Sequence, residues 1–108
     1  MATTKEYLDF ILEQLSGIPG IDYKKMFGEY LIYTNGKPAL LVCDNTVFVK
    51  KLPELATLLP DAPEGLPYEG TKPHYILDVE NRELTEKVLE IVERVTPFPK
   101  KRKKSSNK

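Results

Sequence analysis

The hydrophobic positions of this chain follow two different periods. Near the start, Leu8, Ile11, Leu12 and Leu15 recur at helical spacing, with Tyr7 and Phe10 at the margins of the stripe. Thr3 and Glu6 are spaced as a capping box, and Gly17 followed by Pro19-Gly20 prevents continuation, so a helix is expected over about residues 4–16. From Ile21 to Lys51 the pattern becomes that of strands. A first strand, about 22–27, ends at Gly28; residues 30–34 are mostly aromatic or β-branched, and Asn35-Gly36 follows at once. Asn-Gly is the strongest short hairpin signal, because a type I′ turn needs positive φ at both central residues. Residues 39–43 are nearly all apolar and read as a central strand covered on at least one face. Asp44-Asn45 makes a second tight turn into a strand over 46–50.

Pro53 then opens a short helix over 54–59, with proline at the tolerated first turn. Residues 60–73 hold Pro60, Pro63, Gly65, Pro67, Gly70 and Pro73, an irregular connection of about 14 residues and long enough to suggest a binding loop. Residues 74–78 read as a last strand. Asp78 or Asn81 caps a final helix whose apolar stripe is Leu84, Val88, Ile91, Val92 and Val95, and Pro97 and Pro99 end it. The order is α-β-β-β-β-α-β-α. It predicts an α+β two-layer sandwich: an antiparallel meander sheet of about five strands with helices packed on it.

Composition narrows the class. With 108 residues there is room for one core, and a hydrophobic fraction of 41 % is ordinary for a folded domain. No apolar run approaches the roughly 20 residues that span a membrane, and MATTKEYLDF has no secretory-signal pattern. The one cysteine, Cys43, has no intramolecular disulfide partner, which fits a reducing, cytoplasmic setting. One Cys and one His are too few for a structural zinc site, and nothing calls for another cofactor.

Charge changes the picture more. The chain carries 16 basic and 16 acidic residues. Residues 100–108 contain six of the basic ones (Lys100, Lys101, Arg102, Lys103, Lys104, Lys108) and no acidic one, so residues 1–99 keep 10 basic against 16 acidic, a net of −6. The last nine residues hold no apolar side chain. One domain over 1–99 and a disordered basic tail over 100–108 are therefore expected, with Lys100, Lys101, Arg102, Lys103 and Lys104 available for electrostatic contact.

Candidate chemistry is thin. Cys43 and His74 invite a thiolate–imidazole pair, but each sits in an expected strand and no third group orients them. Tyr23, Phe27, Tyr30, Tyr33, Phe48, Tyr68 and Tyr75, beside Lys24, Lys25, Lys50 and Lys51, would make a stacking platform for single-stranded nucleic acid if exposed together; as strand residues they more simply build the sheet. Glu83, Glu86, Glu90 and Glu93 form an acidic face of the last helix, the usual composition of a solvated surface.

The stretch KKMFGEYLIYTNGKPALLVCDNTVFVK, residues 24–50, resembles the TfoX N-terminal domain family of bacteria. The resemblance rests on Lys25-Met26-Phe27-Gly28, the aromatic strand with Tyr33, the turn at Asn35-Gly36, Ala39-Leu40-Leu41-Val42 and the strand closing in Lys50. Pro67-Tyr68 and Lys72-Pro73-His74 look like the family's loop and last strand, so about residues 4–96 are covered. The resemblance implies a two-layer α+β fold similar to secretion-chaperone-like folds. It carries over no catalytic residues, and it implies that Lys25, Met26, Phe27, Gly28, Tyr33 and Gly36 serve the fold. In longer members, regulators of natural competence, this domain precedes a C-terminal one; the present chain reads as the stand-alone form. The expected function is a non-enzymatic interaction or regulatory module with a protein partner, as monomer or homodimer. The alternative is a nucleic-acid-associated protein acting through its tail.

Overall fold

The computed structural model describes residues 3–26 and 28–97. Phe27 and the basic segment with Lys100, Lys101, Arg102, Lys103 and Lys104 lie outside the described residues.

Helix α1, Lys5–Gln14, buries Leu8 and Ile11, and Leu15 just beyond it is buried too. Its cap is Thr4, whose hydroxyl accepts from the Tyr7 N–H. The expected capping box from Thr3 to Glu6 does not form, because tertiary partners take the Thr3 side chain. Its hydroxyl donates to Glu29 Oε1 at 2.7 Å and accepts from the Asn45 N–H at 3.3 Å. The Thr3 N–H reaches the Gly28 carbonyl, and the Thr4 N–H reaches Asn45 Oδ1.

The strands β1 (Ile21–Met26), β2 (Glu29–Thr34), β3 (Lys37–Cys43) and β4 (Thr46–Lys50) form the expected antiparallel meander. The Asn35-Gly36 turn has φ of 51° and 82°, both positive as a type I′ hairpin requires; Asp44-Asn45 repeats this at 52° and 53°. A register shift between Ile32 and Tyr33 leaves Ala39 of β3 without a partner, next to Pro38, which has no N–H to give a ladder.

After β4 the chain differs from expectation. The helix expected over 54–59 is a single 3₁₀ turn, Pro53–Leu55, followed by further turns. Leu55 and Leu59 are both buried, four residues apart, but Pro60 forces the chain out of helical conformation. The 60–73 connection contains a two-residue strand β5, Glu64–Gly65, and the last strand β6 is only His74–Ile76. The sheet thus has six strands in the order β1-β2-β3-β4-β6-β5, every pair antiparallel. Helix α2, Arg82–Val95, is capped by Asn81, and its buried face is Thr85, Val88, Leu89 and Val92. Asp78 instead accepts from the Glu80 N–H in the preceding turn.

Both helices lie on one face of the sheet. The core joins Leu8, Ile11, Leu15, Val88, Leu89 and Val92 to Tyr30, Ile32, Leu40, Val42, Val47, Val49 and Tyr75. These strand residues fall on alternate positions, as one face of a pleated sheet must. Two further ties hold α2: Lys37 Nζ donates to the Glu93 carbonyl at its last turn, and Arg82 reaches Gln14 and the Glu13 carbonyl at the end of α1.

Candidate interaction surface

The other face of the sheet carries the opposite alternate positions. Register places Lys24, Leu31, Leu41, Phe48 and Ile76 in one row across β1, β2, β3, β4 and β6. Four of these five are apolar, yet none of them belongs to the core beneath the helices. Phe48 is buried because the Gly65 backbone and Ile76 lie beside it, whereas Leu31, Leu41 and Ile76 are only half-buried. Among the described residues no helix packs across this row; α2 only borders one end of it, through Val92 and Val95.

The connection between β5 and β6 partly roofs one end of it. Pro67 is buried, while Leu66 and Tyr68 beside it are 55 % and 62 % exposed, the most exposed large apolar side chains among the described residues. An open cleft of about 470 Å³ lies between Tyr68, Pro67, Met26, Leu41, Cys43 and Glu29. At the other end a second cleft of about 380 Å³ runs from Leu31, Leu41, Phe48, Leu52 and His74 to the end of α2, where Val92, Val95 and Pro97 border it. Leu41 lines both. The binding loop expected from the Pro/Gly-rich stretch therefore lies against an apolar face, and the sequence signal for it was loop length together with the all-apolar 39–43 run.

The structure separates Cys43 from His74. Along β4, Cys43 pairs with Thr46 and His74 with Lys50, four residues or about 13 Å apart at strand rise. Burial, helped by the carboxylates of Glu29 and Asp44, pushes the Cys43 thiol up to about 11, the reverse of nucleophile activation. His74 Nδ1 is engaged by the Lys72 carbonyl at 2.8 Å. Among the described residues no group of three or more His, Cys, Asp or Glu is placed to hold a metal ion, and no helix is long and apolar enough to cross a membrane.

The aromatic set divides. Tyr30, Phe48 and Tyr75 are buried and Tyr33 is half-buried; Tyr23 and Tyr68 are exposed. Tyr23 stands on the helix side, edge-on to Tyr30 at 5.9 Å, and Tyr68 lies by the uncovered face. They do not form one platform. Of the lysines named with them, Lys51 is paired with Glu64 at 3.0 Å and lies over the Tyr75 ring. Among the residues of the family motif, Lys25 and Met26 end β1 on opposite faces, Gly28 has φ of 82° in the β1–β2 turn, Tyr33 flanks the bulge, and Gly36 makes the next hairpin. Glu83, Glu86 and Glu90 are exposed along α2 and Glu93 is half-buried, with Lys87 near Glu83 at 4.0 Å.

Two comparisons with known proteins match most of the chain. The family profile described as the TfoX N-terminal domain matches residues 13–97, from the end of α1 through α2. A protein of Spirochaeta aurantia, described as an uncharacterized 12.7 kDa protein in the trpE 5′ region, is 30 % identical over 105 residues, covering 95 % of this chain and 91 % of that protein.

Proposed function

The chain belongs to the TfoX N-terminal domain family, and from that premise we propose that it is a non-catalytic interaction module whose uncovered sheet face receives a partner protein. The observation that carries this is the Leu31–Leu41–Phe48–Ile76 row with no helix packed across it, rimmed by exposed Tyr68. Contiguous exposed apolar surface on a small domain is characteristic of interaction sites. The protonated, buried Cys43 and its separation from His74 support the non-enzymatic side of the reading, and a thiol without a disulfide partner suits the cytoplasm.

The test uses Leu66→Ser/Tyr68→Ser, which alters only exposed side chains and should leave the melting temperature unchanged. A partner retained by the native chain and lost by this variant supports the reading. Equal retention by both means that the face is not the contact.

A second reading rests on charge. Residues 100–108 oppose +6 to the −6 of residues 1–99, which we take as a basic arm on a separate domain. That arm would give weak, sequence-independent nucleic-acid binding falling steeply with salt. Removing residues 100–108 should abolish it; equal binding by the shortened chain sinks this second reading.

A further inference from the structure

The two edges of the sheet differ. β5 ends the sheet with two residues, whereas β1 presents six, with Ile21 half-buried and Asp22 to Met26 exposed. A long exposed edge is a template for another strand. We propose that β1 pairs antiparallel with β1 of a second copy of this chain, with Tyr23 on the twofold axis. The contact is made by the β1 edge, not by the Tyr68 end of the uncovered face, although Asp22 and Lys24 stand on that face; separate variants test the two readings.

Backbone direction comes first. Met26 and Glu29 face each other at the hairpin end, so Met26, Lys24 and Asp22 exchange hydrogen bonds with β2, and the groups of Ile21, Tyr23 and Lys25 point outward. The Tyr23 N–H confirms this alternation: its partner is not β2 but the neighbouring Asp22 Oδ1, at 2.8 Å. Three residues thus offer donors and acceptors to a new strand.

Symmetry and charge then select the register. A twofold axis that joins two antiparallel edge strands is normal to the sheet, so residues brought opposite each other share a face. With Asp22 on the axis, two carboxylates meet; with Lys24 on the axis, two ammonium groups meet. With Tyr23 on the axis, Asp22 lies opposite Lys24 of the second copy, twice. Those positions are non-hydrogen-bonded pairs, where side chains stand closest, and opposite charges there stabilise as like charges destabilise. Lys25 then lies opposite Ile21 in an outward-pointing, hydrogen-bonded pair. The other side of the sheet gains Tyr23 beside its own copy, extending the Tyr30–Tyr23 edge contact across the axis. In the single chain Asp22 occupies the Tyr23 N–H; on pairing it turns to the lysine, and the N–H passes to the new ladder.

The experiment is a charge swap read by sedimentation velocity on the full chain. The native protein should form dimers as concentration rises. Asp22→Lys and Lys24→Asp should each weaken dimerisation at least about tenfold. Mixed in equal amounts, these two variants should regain it, because each then meets its opposite charge. Tyr23→Cys should cross-link to itself on oxidation, since a pair of facing Cα atoms about 5.5 Å apart suits a disulfide and Cys43 is buried. A native chain that stays monomeric overturns the proposal. So does a dimer indifferent to both single changes, a mixture that does not recover, or a dimer lost in Leu66→Ser/Tyr68→Ser.

Discussion

Single side chains decide how tightly the two ends of this fold are tied. Thr3 looks like half of a local capping box, but its hydroxyl holds Glu29 and the Asn45 N–H instead. Thr3→Val should therefore lower stability by about 1–2 kcal/mol, by orphaning polar groups rather than by loosening α1; urea unfolding should show a lower midpoint with an unchanged slope. Cys43 is the other informative residue. Below about pH 9 the folded and unfolded chains both keep the thiol proton. Between the ordinary value of 9.0 and the folded value of about 11 only the unfolded chain gives it up, so stability falls as pH rises through that window. The fall should be shallower in Cys43→Ala, and labelling of the native thiol at neutral pH should be slow until the protein unfolds. The sequence signalled burial of Cys43 through its apolar neighbours and sets Asp44 next to it; Glu29, brought in from β2, is invisible to local pattern.

At the scale of elements, adjacent residues of β3 test which face is core. Leu40 packs under the helices and Leu41 faces the uncovered side. Leu40→Ala should cost about 2–5 kcal/mol, Leu41→Ala no more than about 1 kcal/mol, with thermal unfolding as the measure. The continuous run at 39–43 hides this distinction, since strict alternation would have marked one face as wet. Hairpins were legible because their turns are local: Asn35-Gly36 and Asp44-Asn45 carry the required positive φ in their own residues. The segment 54–59 misled because Leu55 and Leu59 satisfy a helical period that Pro60 cuts short. β5 and the partner of β6 were not legible at all. They depend on pairings between distant segments, and two residues leave no period to read. The uncovered apolar face was half legible: its residues were visible as strand positions, but the side left bare depends on where both helices dock.

At the scale of the whole molecule, the charge division makes the strongest prediction. A chain ending at Pro99 carries a net −6 and should bind an anion exchanger far more strongly than the neutral 108-residue chain. If residues 1–99 are one domain, its melting temperature should match that of the full chain. The bonds around Thr3 have one more consequence, for biosynthesis. The N–H of Thr4, the residue that caps α1, is held by Asn45, and Thr3 next to it is fastened to Gly28, Glu29 and Asn45. Although α1 leaves the ribosome before the sheet, the bonds that tie Thr3 and Thr4 to Asn45 cannot form until the β3–β4 turn has emerged about 40 residues later. A helix made before the sheet is thus fastened at its start only once β3 has been made, and a pause in translation before Asn45 would leave its apolar face waiting for the sheet.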